Sequence, residues 1–222
     1  MLTILQKVIK KLNKILYSFV NDKSVPSSFA DDTSIFLSHS NPTDFSNNIY
    51  TIFNIFNDWF KWNLLSLNFT KTHFIKFTTK NNNEIEIYIN YDNKLIPAIT
   101  YTKFLGLTVN SSLTWSNHFD LLTKTISNTC YLIQNIKPYL SITALKMIYH
   151  SIFHSIMSYG IMFWGKSPHS SVIFKIQKRV IRILMGIVYR ESCRESFKEL
   201  KILTLSSQYI LVYFLFVIVY CQ

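Results

Sequence analysis

The first half of the chain carries short apolar runs separated by polar clusters, with one stretch of a different period among them. Residues 25–40 place Asp31 and Asp32 between two short β-type runs, which predicts a hairpin with both acids at its tip. In residues 42–63 the apolar side chains recur at spacings of three and four, which predicts a helix beginning at Pro42. Its predicted buried face consists of Ile49, Ile52, Phe56 and Trp59.

Four further β-rich runs follow this helix, and clusters of Asn, Asp and Lys separate them. They predict a small antiparallel sheet, because short apolar runs bounded by turn-forming residues are typical of strands joined by tight connections. The runs cover residues 73–79, 84–90, 95–100 and 102–109.

From Ser116 onward the apolar positions follow helical spacing. The first helix of this part is expected to bury Phe119, Leu122, Ile126 and Ile133 and to end at Pro138. The second has a predicted face made of Ile142, Leu145, Tyr149, Ile152, Ile156 and Tyr159. The third is predicted over 170–187, with Ile173, Ile176, Val180 and Ile183 inside, and shorter helices are predicted over 194–201 and 206–220. The fold class is therefore predicted to be α+β, with an all-α bundle after a boundary near residues 112–116.

Composition and charge narrow the class of protein. Of the 222 residues, 49% are hydrophobic and 16% are aromatic, which excludes a disordered chain. Only four Gly and five Pro are present, which excludes collagen-like and low-complexity classes. With 23 Lys and Arg against 12 Asp and Glu, the net charge is +11, so the expected partner is a polyanion, either nucleic acid or an acidic membrane face.

Both ends of the chain raise the question of a membrane. Residues 1–20 resemble a basic amphipathic helix, and residues 209–221 are thirteen consecutive apolar residues. A membrane span needs about 20 such residues, so we expect a surface helix of a globular fold over 1–20, a buried helix or strand over 209–221 and no stable membrane insertion. A membrane-associated basic protein using these two segments stays an alternative. The three cysteines lie far apart without a C-x-x-C pair, which favours reduced thiols in an intracellular protein of the nucleus or cytoplasm that is not secreted.

Asp31 and Asp32 are the first candidates for chemistry. Two adjacent carboxylates between apolar strands must be hydrated, separated by a turn or neutralised by a cation. Carboxylate oxygens suit Mg²⁺, and paired magnesium ions are one means of catalysing an in-line phosphoryl transfer. From the residues alone, a solvated turn without bound metal is the preferred interpretation, because it explains most pairs of this kind.

A row of cations is the second candidate. Lys175, Lys178, Arg179 and Arg182 recur at helical spacing opposite the apolar positions of the third helix, and Lys166 precedes them. Such a row suits a nucleic-acid phosphate backbone, although a solvated helix face has the same pattern. His150 and His154 have the i, i+4 spacing of zinc ligands, but no third ligand is close in sequence, so two ordinary helix-face histidines are expected.

Five segments then occur in an order that is informative. They are FADDT at 29–33, WFKWNLLSLNFTKTHFIKF at 59–77 with L-N-x-x-K-T at Leu67 to Thr72, KFLGLTVNSSLTWSNHF at 103–119, YHSIFHSIMSYGIMFWG at 149–165 and IQKRVIR at 176–182. In this order the segments, spanning about residues 29–205, resemble the C-terminal half of the reverse transcriptase of non-LTR (LINE-type, jockey-like) retrotransposons.

The resemblance implies an RNA-directed DNA polymerase that uses two-metal nucleotidyl transfer with Mg²⁺. It implies a basic N-terminal helix over 1–24, a partial palm over 25–115 and a thumb-like helical region over 116–222. Asp31 and Asp32 would match the metal-binding acids, and Lys71 the palm lysine suggested to help the leaving pyrophosphate. Phe104, Leu105 and Gly106 would match the primer grip. The expected partners are an RNA template with a DNA primer and a dNTP. The thumb would grip that duplex through Lys166, Lys175, Lys178, Arg179 and Arg182.

The sequence departs from the family upstream of Asp31. The segment ILYSFVNDKSVP at 15–26 looks like the end of a palm helix, but an F-x-D-x-x-x-A-F-D-type segment and the fingers are absent from the sequence. We therefore expect the chain to begin inside the palm, to supply one side of a two-metal site and to show little or no polymerase activity alone. A missing N-terminal polymerase half is a candidate partner, and a non-catalytic basic nucleic-acid-binding protein is the alternative function.

Overall fold

The computed structural model describes residues 24–29, 32–38, 42–65, 68–77, 88–91, 94–188 and 190–220. The described residues fall into two compact units. The first contains those up to Phe74 together with those from Tyr88 to Ala98, and the second contains 75–77 and those from Ile99 on. The basic helix predicted over 1–24 lies outside the described residues, except that Ser24 opens the first strand.

The first unit begins with the predicted hairpin. Strand β1 (Ser24–Phe29) pairs antiparallel with β2 (Asp32–Leu37), and Phe29 lies opposite Asp32. The prediction of two paired strands is thus confirmed, with Asp32 as the first residue of β2. Asp31 lies outside the described residues.

Helix α1 (Pro42–Trp62) confirms the helix predicted over 42–63. Proline at the first helical position is favourable because its missing N–H would have no intrahelical partner there. Ile49 and Trp59 of the predicted face are buried. Ile49 packs in a small core with Ile89 and Ile96, which lie on β3 (Ile89–Tyr91) and β4 (Lys94–Ile96). Phe45, Phe53, Phe69 and Phe74 pack around this core.

Two of the four predicted β-rich runs, 73–79 and 84–90, lie partly outside the described residues, and the described parts of the four runs do not form one sheet. In the described part of the chain, the strands form three separate two-stranded sheets, pairing β1 with β2, β3 with β4 and β5 with β6. The run 102–109 is two strands, β5 (Tyr101–Phe104) and β6 (Leu107–Asn110). They are separate because Leu105 and Gly106 both have positive φ, at 45° and 82°, which reverses the chain in a tight hairpin.

The second unit contains the predicted helices after Ser116. Its longest helices are α2 (Ser116–Ile136), α6 (Ser170–Met185) and α8 (Leu205–Tyr220). The shorter ones are α3 (Ile142–Ile148), α4 (Ser155–Ser158), α5 (Ile161–Trp164) and α7 (Arg194–Glu199). Helix α2 ends at Ile136, where a 3₁₀ turn at Lys137–Tyr139 begins; this turn contains Pro138, the residue predicted to end the helix. Gly186, with φ 71°, ends α6. The mixture of helices with small antiparallel sheets agrees with an α+β fold. The predicted boundary between palm and thumb at 115/116 stays a prediction.

The buried face of the second predicted helix differs from the expected one. Between α3 and α4 the backbone forms a π-helical segment, Tyr149–His154. Its hydrogen bonds span five residues instead of four, so the segment accommodates an extra residue and shifts the face that follows it. The fully or nearly fully buried side chains are therefore four apart: Leu145, Tyr149, Phe153 and Met157. Ile142, Ile152 and Tyr159 of the predicted face are instead exposed.

A polar side chain occupies the centre of this helical core. Gln177 on α6 is fully buried, where the sequence predicted Ile176 as the inward residue. Its amide group donates to the Tyr149 hydroxyl at 3.0 Å and to the Leu203 carbonyl at 2.9 Å, and it accepts from the Leu205 N–H at 2.9 Å. Burial raises the pKa of Tyr149 to about 12, against the opposing effect of the Gln177 hydrogen bond. Gln177 thus joins α6, the π-helical segment and the start of α8.

From Tyr209 onward, helix α8 is apolar on all sides. The expectation that this segment is buried is wrong for the described chain, because many of its large side chains are exposed, including Phe214 at 59% and Val219 at 65%. None of the described helices, including α8, is both long enough and apolar enough to cross a bilayer.

Replacing Gln177 by leucine is expected to lower the free energy of unfolding by about 2–4 kcal/mol, because three buried polar groups would lose their partner. Urea denaturation followed by circular dichroism measures this loss. Gln134→Leu on the exposed side of α2 is the matched control and should change stability by less than about 0.5 kcal/mol. Equal losses in the two variants would contradict a central role for Gln177.

Candidate nucleic-acid interface

The three predicted primer-grip residues lie together at the tip of the β5–β6 hairpin. Phe104 ends β5, and Leu105 and Gly106 form the turn itself. Glycine is required at 106 for two reasons. Its φ of 82° is unfavourable for other residues, and a Cβ atom there would lie 3.0 Å from Cε1 of Tyr159. The turn therefore lies directly against a residue that is far away in the sequence.

The contact comes from a Tyr–Gly pair between α4 and α5. The Tyr159 hydroxyl donates a hydrogen bond to the Leu105 carbonyl. Gly160 has φ 63°, and a Cβ atom there would lie 2.6 Å from Cδ2 of Leu107 at the start of β6. The indole N–H of the fully buried Trp164 donates to the Tyr159 carbonyl at 3.0 Å. The sequence motif at 149–165 therefore contains the residues that hold the hairpin turn.

The outer face of this hairpin combines aromatic and cationic side chains. Along β5 the exposed positions are Tyr101 and Lys103, and Leu105 in the turn is 46% exposed. Tyr159 beside the turn is 55% exposed. Exposed aromatic rings stack on bases and lysine attracts phosphate, so this surface has the chemistry of a nucleic-acid contact. Tyr101, Lys103 and Tyr159 are not among the candidate site residues that the sequence predicts. The signals that could have indicated them are the alternation of exposed residues on β5 and the S-Y-G sequence.

His118, the last residue of the L-T-W-x-x-H segment, is buried among aromatic side chains. It is 8% exposed, and its ring packs against Trp115 and Trp164. Its Nδ1 accepts a long hydrogen bond, 3.5 Å, from the Thr108 N–H of β6. Burial lowers the pKa of His118 below the ordinary value of 6.5. This histidine therefore holds β6 against α2 in its neutral form.

Asn110 supports the same segment from the end of β6. Its side-chain oxygen accepts from the Thr114 N–H at 2.9 Å and from the Trp115 N–H at 3.3 Å, and its amide donates to the Thr114 hydroxyl at 2.7 Å. Leu113 and Trp115 both have positive φ, at 53° and 65°. These conformations are unfavourable for large side chains, so the Asn110 hydrogen bonds help to fix the entry into α2.

The basic face of α6 lies where the spacing predicted it. The buried residues of α6 are Ile173, Gln177, Val180, Ile181 and Leu184, and the four cations occupy the opposite side of the helix. Lys175 and Arg179 are exposed, as is Lys166 before the helix. The other two are held locally: the Lys178 ammonium lies 4.5 Å from the centre of the Phe174 ring, and Arg182 Nη2 donates to the Glu191 carbonyl at 3.1 Å. That this face binds nucleic acid stays a prediction.

The predicted catalytic residues belong to the first unit. Asp32 opens β2, and Asp31 lies outside the described residues. Lys71 is exposed on a turn organised by Asn68, whose side-chain oxygen accepts from the Thr70 N–H at 3.1 Å and whose carbonyl accepts from the Lys71 N–H at 3.1 Å. The L-N-x-x-K-T segment is thus a turn that presents its lysine to solvent. The catalytic roles of these residues stay predictions.

His150 and His154 lie close together on the π-helical segment, with ring centres 5.4 Å apart. Partial burial, then the neighbouring His154 and Lys146, lower the pKa of His150. Among the described residues, no three His, Cys, Asp or Glu side chains lie close enough together to hold a metal ion.

Comparison with known proteins gives one informative similarity. Over 188 residues, 82% of this chain, the sequence is 26% identical to the Probable RNA-directed DNA polymerase from transposon X-element of Drosophila melanogaster. The aligned part is 20% of that polymerase, so the chain spans about a fifth of the length of the curated relative that it matches. No family model and no solved structure matches the chain. The resemblance to a non-LTR retrotransposon polymerase, drawn above from five short segments, is confirmed by this similarity.

The lowered pKa of His118 predicts a pH-dependent stability. Since the folded-state pKa lies below the unfolded value, the unfolded chain binds the proton more readily. The contribution of His118 to the free energy of unfolding is therefore complete above about pH 7.5 and falls as the pH drops through 6.5.

The measurement is urea denaturation at pH 7.5 and pH 5.5. His118→Asn keeps an acceptor for the Thr108 N–H but does not titrate, so its stability should fall less between the two pH values than that of the parent chain. Because His150 titrates in the same direction, both proteins should carry His150→Asn. Equal losses of stability would show that His118 is not the titrating group.

Proposed function

We propose that the second unit of this chain is the primer-gripping and duplex-gripping part of an RNA-directed DNA polymerase from a transposable element. The observation that carries the proposal is the contact between the Leu105–Gly106 turn and the Tyr159–Gly160 pair. These two sites belong to separate segments of the motif series, and they meet in one surface of exposed aromatic and cationic side chains. The similarity to a transposon polymerase supports the same function.

The chemistry of the second unit suits a nucleic-acid duplex. On α6, Lys175 and Arg179 project from the side opposite the core, so they can approach phosphates without any loss of packing. Arg182 is held through its bond to the Glu191 carbonyl, which limits the side-chain entropy lost on binding a phosphate. Contacts of this kind position a duplex without reading its sequence, as a polymerase that copies any template requires.

We extend the proposal to the first unit. Asp32 opens β2 and Asp31 directly precedes it in the sequence, and hard oxygen donors of this kind fit Mg²⁺. In the proposed polymerase they hold one side of the metal site, and Lys71, exposed on its turn, is available to a departing pyrophosphate. Bound magnesium would stabilise the charge that develops during phosphoryl transfer. A second carboxylate segment must complete the site, so this chain alone should bind a primer–template without extending it.

A non-catalytic nucleic-acid-binding protein is the second candidate. The basic face of α6 favours it, because Lys175 and Arg179 can bind phosphate whether or not a metal site exists. The two candidates differ in whether Asp31, Asp32 and Lys71 take part in phosphoryl transfer.

Primer extension with the purified chain tests the proposal. An RNA template annealed to a labelled DNA primer is incubated with dNTPs and Mg²⁺, and binding of the same duplex is measured over a range of salt concentrations. We expect salt-dependent binding and no extension. Extension that disappears in Asp31→Asn would mean that a complete metal site forms within this chain. Absence of binding at low salt would contradict both candidate functions.

The double substitution Lys175→Ala with Arg179→Ala should weaken duplex binding uniformly across sequences. Each lost phosphate contact should reduce the slope of log K against log salt by about 0.9. Fluorescence anisotropy at four or five salt concentrations measures that slope. Lys124→Ala, an exposed lysine on α2, is the matched control and should leave the slope unchanged. An unchanged slope in the double variant would exclude α6 as the phosphate-binding face.

A further inference from the structure

The Leu105–Gly106 turn is held in a conformation that its own sequence does not favour. A tight hairpin with positive φ at both central positions normally has Asn or Gly first, whereas this chain has leucine there, with φ 45°. A bulky residue in the left-handed region is unusual. Such a conformation persists only when the surrounding structure determines it, and it is found most often at functional sites.

Tyr159 supplies the surrounding structure. Its hydroxyl donates to the carbonyl of the strained residue, Leu105, and its ring lies where a side chain at position 106 would have to be. The bond joins residues 54 positions apart, so it depends on the helical unit having folded. Within the hairpin, the alternative partner for this carbonyl would be water.

Tyr159 is in turn fixed from the core side. Trp164, fully buried, donates to the Tyr159 carbonyl, and Gly160 lets Leu107 pack against the backbone next to it. A continuous chain of contacts therefore runs from the buried indole to the tip of an exposed hairpin. The exposed end of this chain is Leu105, with Tyr101 and Lys103 on the strand that leads to it.

We propose that Tyr159 is a positioning residue for the primer grip: its hydroxyl keeps the Leu105–Gly106 turn in the one conformation that fits the 3′ end of a primer on its template. The inference deepens the proposed function and rests on it. A merely structural Tyr159 would affect the binding of every duplex alike, whereas a positioning residue affects the recognition of a recessed primer end.

The test compares Tyr159→Phe, which removes only the hydroxyl, with Tyr139→Phe, which removes the hydroxyl of a tyrosine that is 85% exposed. Two probes are used with the full chain: an RNA template carrying a DNA primer with a recessed 3′ end, and a blunt RNA–DNA duplex of the same length and composition. We expect the parent chain and Tyr139→Phe to bind the recessed end more tightly than the blunt duplex. Tyr159→Phe, which keeps the exposed ring, should lose about threefold to tenfold of that preference, the range expected for one hydrogen bond.

Amide hydrogen exchange gives a second readout that needs no nucleic acid. The N–H groups of Phe104 and Leu107, which pair across the hairpin next to the turn, should exchange faster in Tyr159→Phe than in the parent chain, while those of α6 should be unaffected. Unchanged exchange at the turn would overturn the inference, because the hydroxyl would then not be what holds it.

The outcomes distinguish a failure of the proposed function from a failure of the proposal for Tyr159 alone. If the parent chain binds neither probe, the proposed function fails and the inference fails with it. If the parent chain distinguishes the probes and Tyr159→Phe distinguishes them equally well, the inference alone is overturned. It is also overturned if the parent chain binds both probes equally, or if Tyr159→Phe loses affinity for both to the same extent.

Discussion

The second unit depends on one long-range contact, the packing of the Tyr159–Gly160 pair against the β5–β6 turn. Two glycines, Gly106 and Gly160, permit the close approach, and the Tyr159 hydroxyl satisfies a carbonyl that the strained turn leaves available. Trp164 connects this contact to the core, and its ring also packs against His118 at the start of α2. A small exposed hairpin is by itself only marginally stable, so it takes its geometry from the helices beneath it.

The helical core beneath the hairpin is organised around a polar group. Gln177 pairs with Tyr149 on the π-helical segment and with Leu203 and Leu205 at the entry into α8, and a buried amide is tolerated because each of its groups is paired. The hydrogen bonds of Gln177 also make the packing of the core specific. Leucine or isoleucine at this position would fit several packings, whereas an amide with three fixed partners fits one, which ties the register of α6 to the π-helical segment and to the start of α8.

On α6, the residues that pack in the core and the exposed cations lie on opposite sides of the helix. The buried side of α6 carries Gln177 and the apolar residues of the core, and the opposite side carries Lys175 and Arg179. Since neither exposed cation takes part in the core, the charge on this face carries no cost in packing. Lys178 and Arg182 lie between these extremes: each has a local partner in the fold and still contributes to the positive potential of the face.

The sequence by itself determined where most elements lie. The β1–β2 hairpin, α1, the end of α2 before Pro138 and the extent of α6 and α8 follow from local periodicity and from proline and glycine signals, which act over only a few residues. The basic face of α6 was equally predictable, because helical spacing alone puts its cations on one side. The five motifs also indicated the family that the curated similarity supports.

Tertiary structure decided the rest. The run 102–109 reads as one strand, but the contact with Tyr159 stabilises two left-handed residues within it. The π-helical segment moves the buried face to Phe153 and Met157, and Gln177 is buried because three distant groups need a partner. None of these features is encoded within a window of a few residues. Each depends on groups that are brought together only when the chain has folded, and for this reason the sequence could single out the Leu105–Gly106 turn but not Tyr159, the residue that holds it.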